Sequence, residues 1–169
     1  MEIKNNIKLY IDLIPKTAWF SNLRSELTAK EWQLVQQKTF SKANYKCECC
    51  GGVGSKHPVE CHERFSYDSI TNTQTLTGTL ALCPKCHKTT HFGMAQILGL
   101  ENMAISNLKR LNKWNQEQVA THIKDAFSLW NQRNLINWKL DASWLLEFIE
   151  VSERTKTKIN NLKLGITQK

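Results

Sequence analysis

The sequence predicts an α+β fold with a small hairpin-and-helix core and flanking helices at both ends. Three observations predict it: two Cys-x-x-Cys pairs enclose a strand-like stretch, a capped helical pattern precedes them, and further helical patterns follow them. The chain has 169 residues, of which 41% are hydrophobic and 22% are charged. This length and composition suit one globular domain and exclude collagen-like and wholly disordered chains.

Changes in pattern divide the chain into four segments. Residues 1–46 combine an extended segment with a helix, and residues 47–93 form the core that holds both cysteine pairs. Residues 94–150 have a helical pattern. Residues 151–169 form a basic tail, which we expect to be loosely ordered without a partner.

The first helix is expected to begin after Thr28 and to end at Asn44. Thr28 and Glu31 have the spacing of a capping box, in which each side chain bonds the other residue's backbone N–H. Apolar side chains follow at helical spacing. Ahead of this helix, the stretch Leu9–Ile14 is expected to be extended.

The core is expected to be a β-hairpin followed by a short helix. Residues 58–82 have a strand-like pattern, with a turn at Thr71–Gln74 and a returning strand at Thr75–Leu82. Pro84 suits the first position of the helix, and Gly93 is a suitable terminator.

Two longer helices are expected after the core. One covers roughly Ala95–Leu111, and the other begins after Asn115. The aromatic residues beyond them, including Trp138 and Trp144, are expected to pack back onto the core.

The formal net charge is +8, and the excess lies at the two ends. Residues 1–46 carry 8 basic and 4 acidic side chains, and residues 151–169 carry 5 and 1. A basic chain of this size favours a polyanionic partner, with nucleic acid first, although solvated lysines are the simpler explanation. No apolar run is long enough to span a bilayer, and the first residues do not have the pattern of a secretory signal, so we expect a cytoplasmic protein without a membrane partner.

The six cysteines predict a structural zinc site. Cys47 and Cys50 form one Cys-x-x-Cys pair, and Cys83 and Cys86 form a second pair, with 32 residues between the two pairs. Two such pairs usually supply four thiolates to one tetrahedral zinc ion. Disulfides are the alternative, but they need an oxidising compartment. Cys49 is expected to be a bystander.

Three histidines predict a second metal site with a base beside it. His87 and His91 lie four residues apart on the predicted helix, so they share a face and can bind one divalent ion. His62 lies on the hairpin, which can fold over that helix. A neutral imidazole there could take a proton from water while the ion polarises a phosphodiester.

These motifs resemble those of a known family. CECCGG, VECHE and LCPKCHKTTH, in that order, resemble HNH endonucleases of the ββα-metal (treble-clef-like) fold, in the subgroup braced by a four-cysteine zinc knuckle. The resemblance covers about residues 45–93. It implies that His62 is the general base and that His87 and His91 bind the catalytic metal. The position before the base, which is commonly a metal ligand in the family, is occupied by Cys61, so Cys61 is expected to bind the catalytic metal with His87 and His91.

The sequence departs from the family's pattern in two places. Cys61 stands where the family commonly has Asp or His, and a thiolate favours zinc or another late transition metal over magnesium. The family's middle Asn would fall near Gly78, where there is none. On a regular strand Cys61 and His62 point to opposite faces, and Glu60 shares the face of His62 as a rival ligand or orienting carboxylate. Glu63 is a further possible ligand.

The function expected from these motifs is metal-dependent cleavage of DNA with low intrinsic sequence specificity. Arg64, Lys85 and Lys88 lie near the motif and are candidate phosphate contacts, as are the terminal lysines. The cofactors would be a structural Zn²⁺ and a second divalent ion, which could be Zn²⁺, Ni²⁺, Mn²⁺ or Mg²⁺. The alternative is a catalytically inactive zinc module that binds nucleic acid or a protein partner. The oligomeric state is open.

Overall fold

The fold described here is that of residues 8–18 and 23–166 in a computed structural model. It is mixed α and β, which confirms the α+β class. The helices are α1 (Leu23–Glu26), α2 (Ala29–Lys42), α3 (Pro84–Thr90), α4 (Phe92–Ile97), α5 (Glu101–Asn112), α6 (Gln116–Arg133), α7 (Trp144–Phe148) and α8 (Glu153–Lys163), with a 3₁₀ turn at Lys16–Ala18.

A three-stranded sheet contains the predicted hairpin. Strand β1 (Glu60–Asp68) pairs antiparallel with β2 (Thr73–Leu82), and β3 (Lys139–Asp141) pairs parallel with the start of β2. The turn precedes the expected position by two residues because Asn72 adopts a left-handed conformation, with φ of 52°. Strand β3 was not expected, since three residues are too few to show an alternating pattern.

The pairing of β1 with β2 is irregular just after His62. The pairing register shifts between Arg64 and Phe65, so that one residue of β2, Thr77, has no partner on β1. Gly78 pairs with Arg64 and has a φ of +156°. Residues up to Arg64 therefore keep a regular alternation of faces, and this part of β1 carries Glu60 and His62.

The helix predicted after Thr28 is α2, which begins as expected and ends at Lys42, two residues before the expected end. Thr28 is the N-cap of α2, both hydrogen bonds of the capping box with Glu31 are present, and Asn44 follows the helix in a left-handed conformation. The N-terminus of α6 has an equivalent box between Asn115 and Gln118. Local capping chemistry was therefore sufficient to place these helix starts.

Two glycines account for the differences between the predicted and the observed helices in this region. Gly93 lies inside α4, because α3 already ends at Thr90. The helix expected over Ala95–Leu111 is interrupted at Gly99, which has a φ of +69°. The Leu100 N–H donates to the Ala95 carbonyl, which is the hydrogen bond of a Schellman cap. A left-handed glycine thus separates α4 from α5.

Much of the basic tail is helical and docked. Glu31, which is buried, accepts hydrogen bonds from the Ser152 N–H and hydroxyl and from the Thr155 hydroxyl, in addition to those from Thr28. One carboxylate therefore caps both α2 and α8, and it holds α8 against the body of the protein. Residues 153–163 accordingly differ from the expected loosely ordered tail.

The hairpin contributes to two hydrophobic clusters. One joins it to α3–α6 and includes Leu82, Phe92 and Leu108, and the other joins it to α2, α7 and α8 and includes Leu76 and Leu145. Among the described residues, no helix combines the length and apolarity that crossing a bilayer requires.

We expect Glu31→Gln to lower the free energy of unfolding by about 1–3 kcal/mol, because it removes a charged acceptor from buried donors. Although partial burial opposes ionisation, hydrogen bonds from the Ser152 and Thr28 amides lower the pKa of Glu31 to about 2. The ionised Glu31 carboxylate makes its full contribution to the free energy of unfolding above its ordinary pKa of 4.5, and this contribution is lost as the pH falls towards 2. Urea unfolding between pH 7 and pH 3 measures this.

The matched control is Glu153→Gln, since Glu153 lies in the first turn of α8 but is exposed. We expect that change to have a small effect at every pH. Equal losses in the two variants would contradict the role assigned to Glu31.

Candidate metal centres

The two cysteine pairs lie together at the base of the hairpin. After Cys47 the chain makes a tight turn in which the Gly51 N–H donates to the Cys47 carbonyl and Gly51 has a φ of +72°. Cys83 is the N-cap of α3, and Pro84 is the first residue of that helix, as predicted. The sulfur atoms of Cys47, Cys50, Cys83 and Cys86 all lie within 4.8 Å of one another.

The geometry and surroundings of these four thiols fit a zinc ion. The Cys50 and Cys83 Sγ atoms are 3.7 Å apart. A tetrahedral site with Zn–S bonds of about 2.3 Å needs about 3.8 Å. The Gly52 N–H donates to the Cys50 sulfur, and the buried Asn107 amide donates to the Cys86 sulfur. Such donors stabilise thiolate ligands, so the cluster could hold zinc.

Repulsion among four neighbouring thiolates is the physical reason for a cation in the cysteine cluster. A hydrogen bond with Cys47 and burial both raise the pKa of Cys86. Four thiolates cannot be held together at this spacing without a positive charge between them. A zinc ion would supply that charge, and its binding would be coupled to folding.

We expect removal of the ion from the cysteine cluster to destabilise the fold. Structural zinc commonly contributes on the order of 10 kcal/mol in small zinc domains. Cys86→Ser should therefore lower the zinc content by one equivalent and lower the melting temperature by more than 10 °C, on the order expected for losing several kcal/mol. Elemental analysis and thermal unfolding measure both quantities.

Cys49→Ser is the control because Cys49 lies beside the knuckle but outside the group of four. We expect it to keep the parent's zinc content. If Cys86→Ser also kept it, the assignment of the four ligands would fail.

Three histidines form a second cluster. His62 lies on β1, His87 lies on α3, and His91 caps the end of α3. His62 Nδ1 and His91 Nε2 are 3.2 Å apart, and His91 Nε2 and His87 Nε2 are also 3.2 Å apart. With Zn–N bonds of about 2.0–2.1 Å, tetrahedral ligands would be separated by about 3.3 Å. The three nitrogens therefore have a spacing at which one metal ion could be bound.

Lowered pKa values keep the imidazoles of His62 and His91 neutral, as metal ligands must be. His62 is only 2% exposed, and burial, followed by the charges of His91 and His87, holds its pKa well below the usual range. Burial, assisted by the charge of His87, lowers the pKa of His91 to about 4. Neutral imidazoles are the form that binds metals.

Glu60 orients one of these rings. One carboxylate oxygen lies 2.6 Å from His87 Nδ1, and the other lies 2.7 Å from His57 Nε2. Although burial acts to raise it, the contacts with His57 and His87 lower the pKa of Glu60. The ionised carboxylate keeps a proton on His87 Nδ1 and leaves Nε2 free to face the cluster. The orienting role expected for Glu60 thus falls on His87 rather than on His62.

Cys61 and Glu63 lie apart from the histidines. The Cys61 thiol donates to the Thr39 hydroxyl and packs against the cluster that includes Leu76. Glu63 accepts a hydrogen bond from the Leu23 N–H. Both residues point to the face of β1 opposite His62, because this part of the strand alternates regularly. The structure therefore corrects the expectation that Cys61 or Glu63 would complete the second site.

His62 also differs from its expected arrangement. It was expected to face an ion bound by His87, His91 and Cys61, but its Nδ1 lies within the cluster. Its Nε2 is buried and has no hydrogen-bond partner among the described residues. The expected phosphate contacts Arg64, Lys85 and Lys88 are all exposed.

Sequence reasoning missed two residues: Asp12, which lies beside the histidines, and Arg133, which acts on Asp12. Asp12 Oδ2 lies 3.9 Å from His62 Nε2, and the charge of Arg133 acts on Asp12. These residues come from opposite ends of the chain and belong to no recognisable motif. No local pattern could therefore have placed them together.

Comparison of the chain with models of protein families, with curated proteins and with solved structures gave no match.

We expect Glu60→Gln to weaken metal binding at the histidine cluster by about 10- to 100-fold, because an amide is a poorer acceptor for the His87 N–H. Competition with a chromophoric chelator measures the affinity. Glu63→Gln is the control, since it changes a carboxylate on the opposite face of the same strand. Equal affinities in Glu60→Gln and the parent would contradict the orienting role.

Proposed function

We propose that this chain is a metal-dependent endonuclease that hydrolyses phosphodiester bonds in DNA, with a core of the HNH, ββα-metal type. The observation that carries the proposal is the convergence of His62, His87 and His91 beside the four cysteines. Sites with three histidine ligands and one open position are typical of catalytic zinc. The order β1, β2 and α3, with one cysteine pair before the hairpin in sequence and one after it, supports the core type.

The three histidines would hold the ion, and the hydrogen bond from His87 to Glu60 would orient the His87 ring. A divalent ion bound there supplies Lewis-acid chemistry, because it polarises a phosphodiester and lowers the pKa of a water molecule. His87 is 23% exposed, so the cluster can be approached from solvent. Three nitrogen donors favour zinc, nickel or another late transition ion over magnesium.

In this proposal His62 is a ligand rather than the general base. Its Nδ1 has the same spacing to His91 as His87 does, and its other nitrogen is buried. A base must reach the water whose proton it takes, and a buried nitrogen does not. Activation of the water would then depend on the ion rather than on a free imidazole.

DNA is the proposed substrate because exposed positive side chains lie on the elements that carry the cluster. Lys85 and Lys88 lie on α3 with His87, and Arg64 follows His62 on the same face of β1. Contacts of this kind bind the phosphate backbone and do not read sequence. They suit an enzyme of low intrinsic specificity.

A second candidate is an inactive zinc module that binds nucleic acid. The observation that favours it is that each histidine of the cluster, His62, His87 and His91, contributes a nitrogen to it, so none of the three is left over to act as a base. In that case both metal ions would stabilise the fold, and the positive side chains would retain their role in binding.

Nicking of supercoiled plasmid separates the two functions. We expect the parent protein to nick with zinc, nickel or manganese more efficiently than with magnesium. His91→Ala should lose at least about 100-fold in rate, because it removes a ligand rather than an outer partner. Binding of a duplex to His91→Ala, measured by fluorescence anisotropy, should remain within about threefold of the parent.

Two outcomes would contradict the hydrolytic proposal. If His91→Ala nicks as fast as the parent, the histidine cluster is not the active site. If no metal supports nicking while DNA binding is tight and falls steeply with salt, the chain is the binding module.

A further inference from the structure

The segment before α1 is held in place by side chains of distant helices. This strap (residues 8–15) has no regular secondary structure. The Asn112 side chain of α5 bonds both the N–H and the carbonyl of Leu9, and His122 Nε2 of α6 accepts from the Ile11 N–H. The Trp130 indole of α6 donates to the Ile14 carbonyl. The register of the strap is therefore fixed along its length.

This register places Asp12 beside the histidine cluster. The Asp12 N–H donates to the Thr90 carbonyl, one residue before His91. Its carboxylate is only 14% exposed, and Oδ2 lies 3.9 Å from His62 Nε2. That nitrogen is the buried one without a hydrogen-bond partner in the described chain. When Nδ1 of a histidine faces a metal, the other ring nitrogen carries the proton and needs an acceptor.

Positive charge surrounds Asp12. Burial raises its pKa to about 6, although the charges of Arg133 and Arg64 act to lower it. The Arg133 guanidinium, at the last residue of α6, lies 3.8 Å from the centroid of the Tyr67 ring. Within residues 8–18 and 23–166, no carboxylate forms an ion pair with Arg133 or Arg64. The Arg64 side chain also hydrogen-bonds to the Tyr10 hydroxyl, so Arg133 is the cation of the two that remains available to an anion.

The ring beneath Arg133 orients its guanidinium. A guanidinium stacked on an aromatic face keeps its N–H groups pointing outward in its own plane. Those groups can donate to a phosphate oxygen in a bidentate manner. Tyr67 lies on β1, the strand that carries His62 and Arg64, so the stacked cation is tied to the strand of the cluster.

We propose that the flanking segments complete the site: Asp12 of the strap is the positioning residue that accepts the His62 Nε2–H, and Arg133 of α6 binds a phosphate oxygen of the substrate. The identity of that substrate rests on the proposed function. The role of Asp12 rests only on metal binding by the histidines. The zinc-braced core alone would then be an incomplete site.

The Asp12 part is tested by metal affinity and by the tautomer of His62. Asp12→Ala should weaken zinc binding at the histidine cluster by about 10- to 100-fold, and Asp12→Asn should recover part of this loss because its amide oxygen still accepts. Asp68→Asn, at the exposed hairpin end, is the control. In the zinc-loaded parent, ¹⁵N correlation spectra should show the His62 proton on Nε2.

A zinc affinity of Asp12→Ala equal to that of the parent would overturn this part, and so would a His62 proton on Nδ1. Unfolding curves of each variant show whether the fold is retained. If Asp12→Ala is unfolded, the comparison of Asp12→Asn with the parent and the His62 tautomer decide the question.

The Arg133 part is tested by binding of a DNA duplex to the full chain without added metal for the second site. Arg133→Ala should weaken binding by about 5- to 50-fold for unrelated sequences and lower the salt slope by about 1. Lys124→Ala, on the exposed side of the same helix, should change neither quantity. Unchanged binding in Arg133→Ala, or no DNA binding by the parent, would overturn this part.

The outcomes remain separable from those of the proposed function. Suppose that the parent nicks plasmid and that Asp12→Ala and Arg133→Ala match it in zinc affinity and DNA binding. That result supports hydrolysis and overturns the inference. A parent that does not nick, but whose zinc affinity and DNA binding depend on Asp12 and Arg133, overturns hydrolysis and supports the inference.

Discussion

The contact between the first cysteine pair and the start of α3 is the constraint on which the rest of the site depends. Cys83 and Cys86 lie at the N-terminus of that helix, and His87 and His91 follow within the next turn and a half. Fixing the cysteines against Cys50 therefore fixes the direction in which the histidines point. An ion in the thiol cluster would bring together the hairpin and the helix before the second cluster could form.

The alternation of side chains along β1 then decides which groups reach the second cluster. Glu60, His62 and Arg64 share one face, whereas Cys61 and Glu63 share the other. Neighbouring residues of one motif are thus divided between a polar centre and a hydrophobic cluster. A soft thiol in this motif need not be a metal ligand, because its side chain contributes to packing instead.

The sequence was sufficient for the parts of the fold that depend on local chemistry. The capping box at Thr28 and the helix start at Asn115 were predicted because the residues that form them are neighbours. The grouping of the cysteines followed from spacing alone. Strand β3 and the contact of Asp12 with His62 could not be predicted, since they depend on how remote segments pack.

The path of the strap has a consequence for the order of assembly. The side chains that hold residues 8–15 come from α5 and α6, more than one hundred residues later. Such distant contacts close slowly, because a long loop must be ordered first. During synthesis residues 8–15 cannot take up this path until α5 and α6 have emerged. Asp12 would therefore reach the histidine cluster only after α6 has emerged.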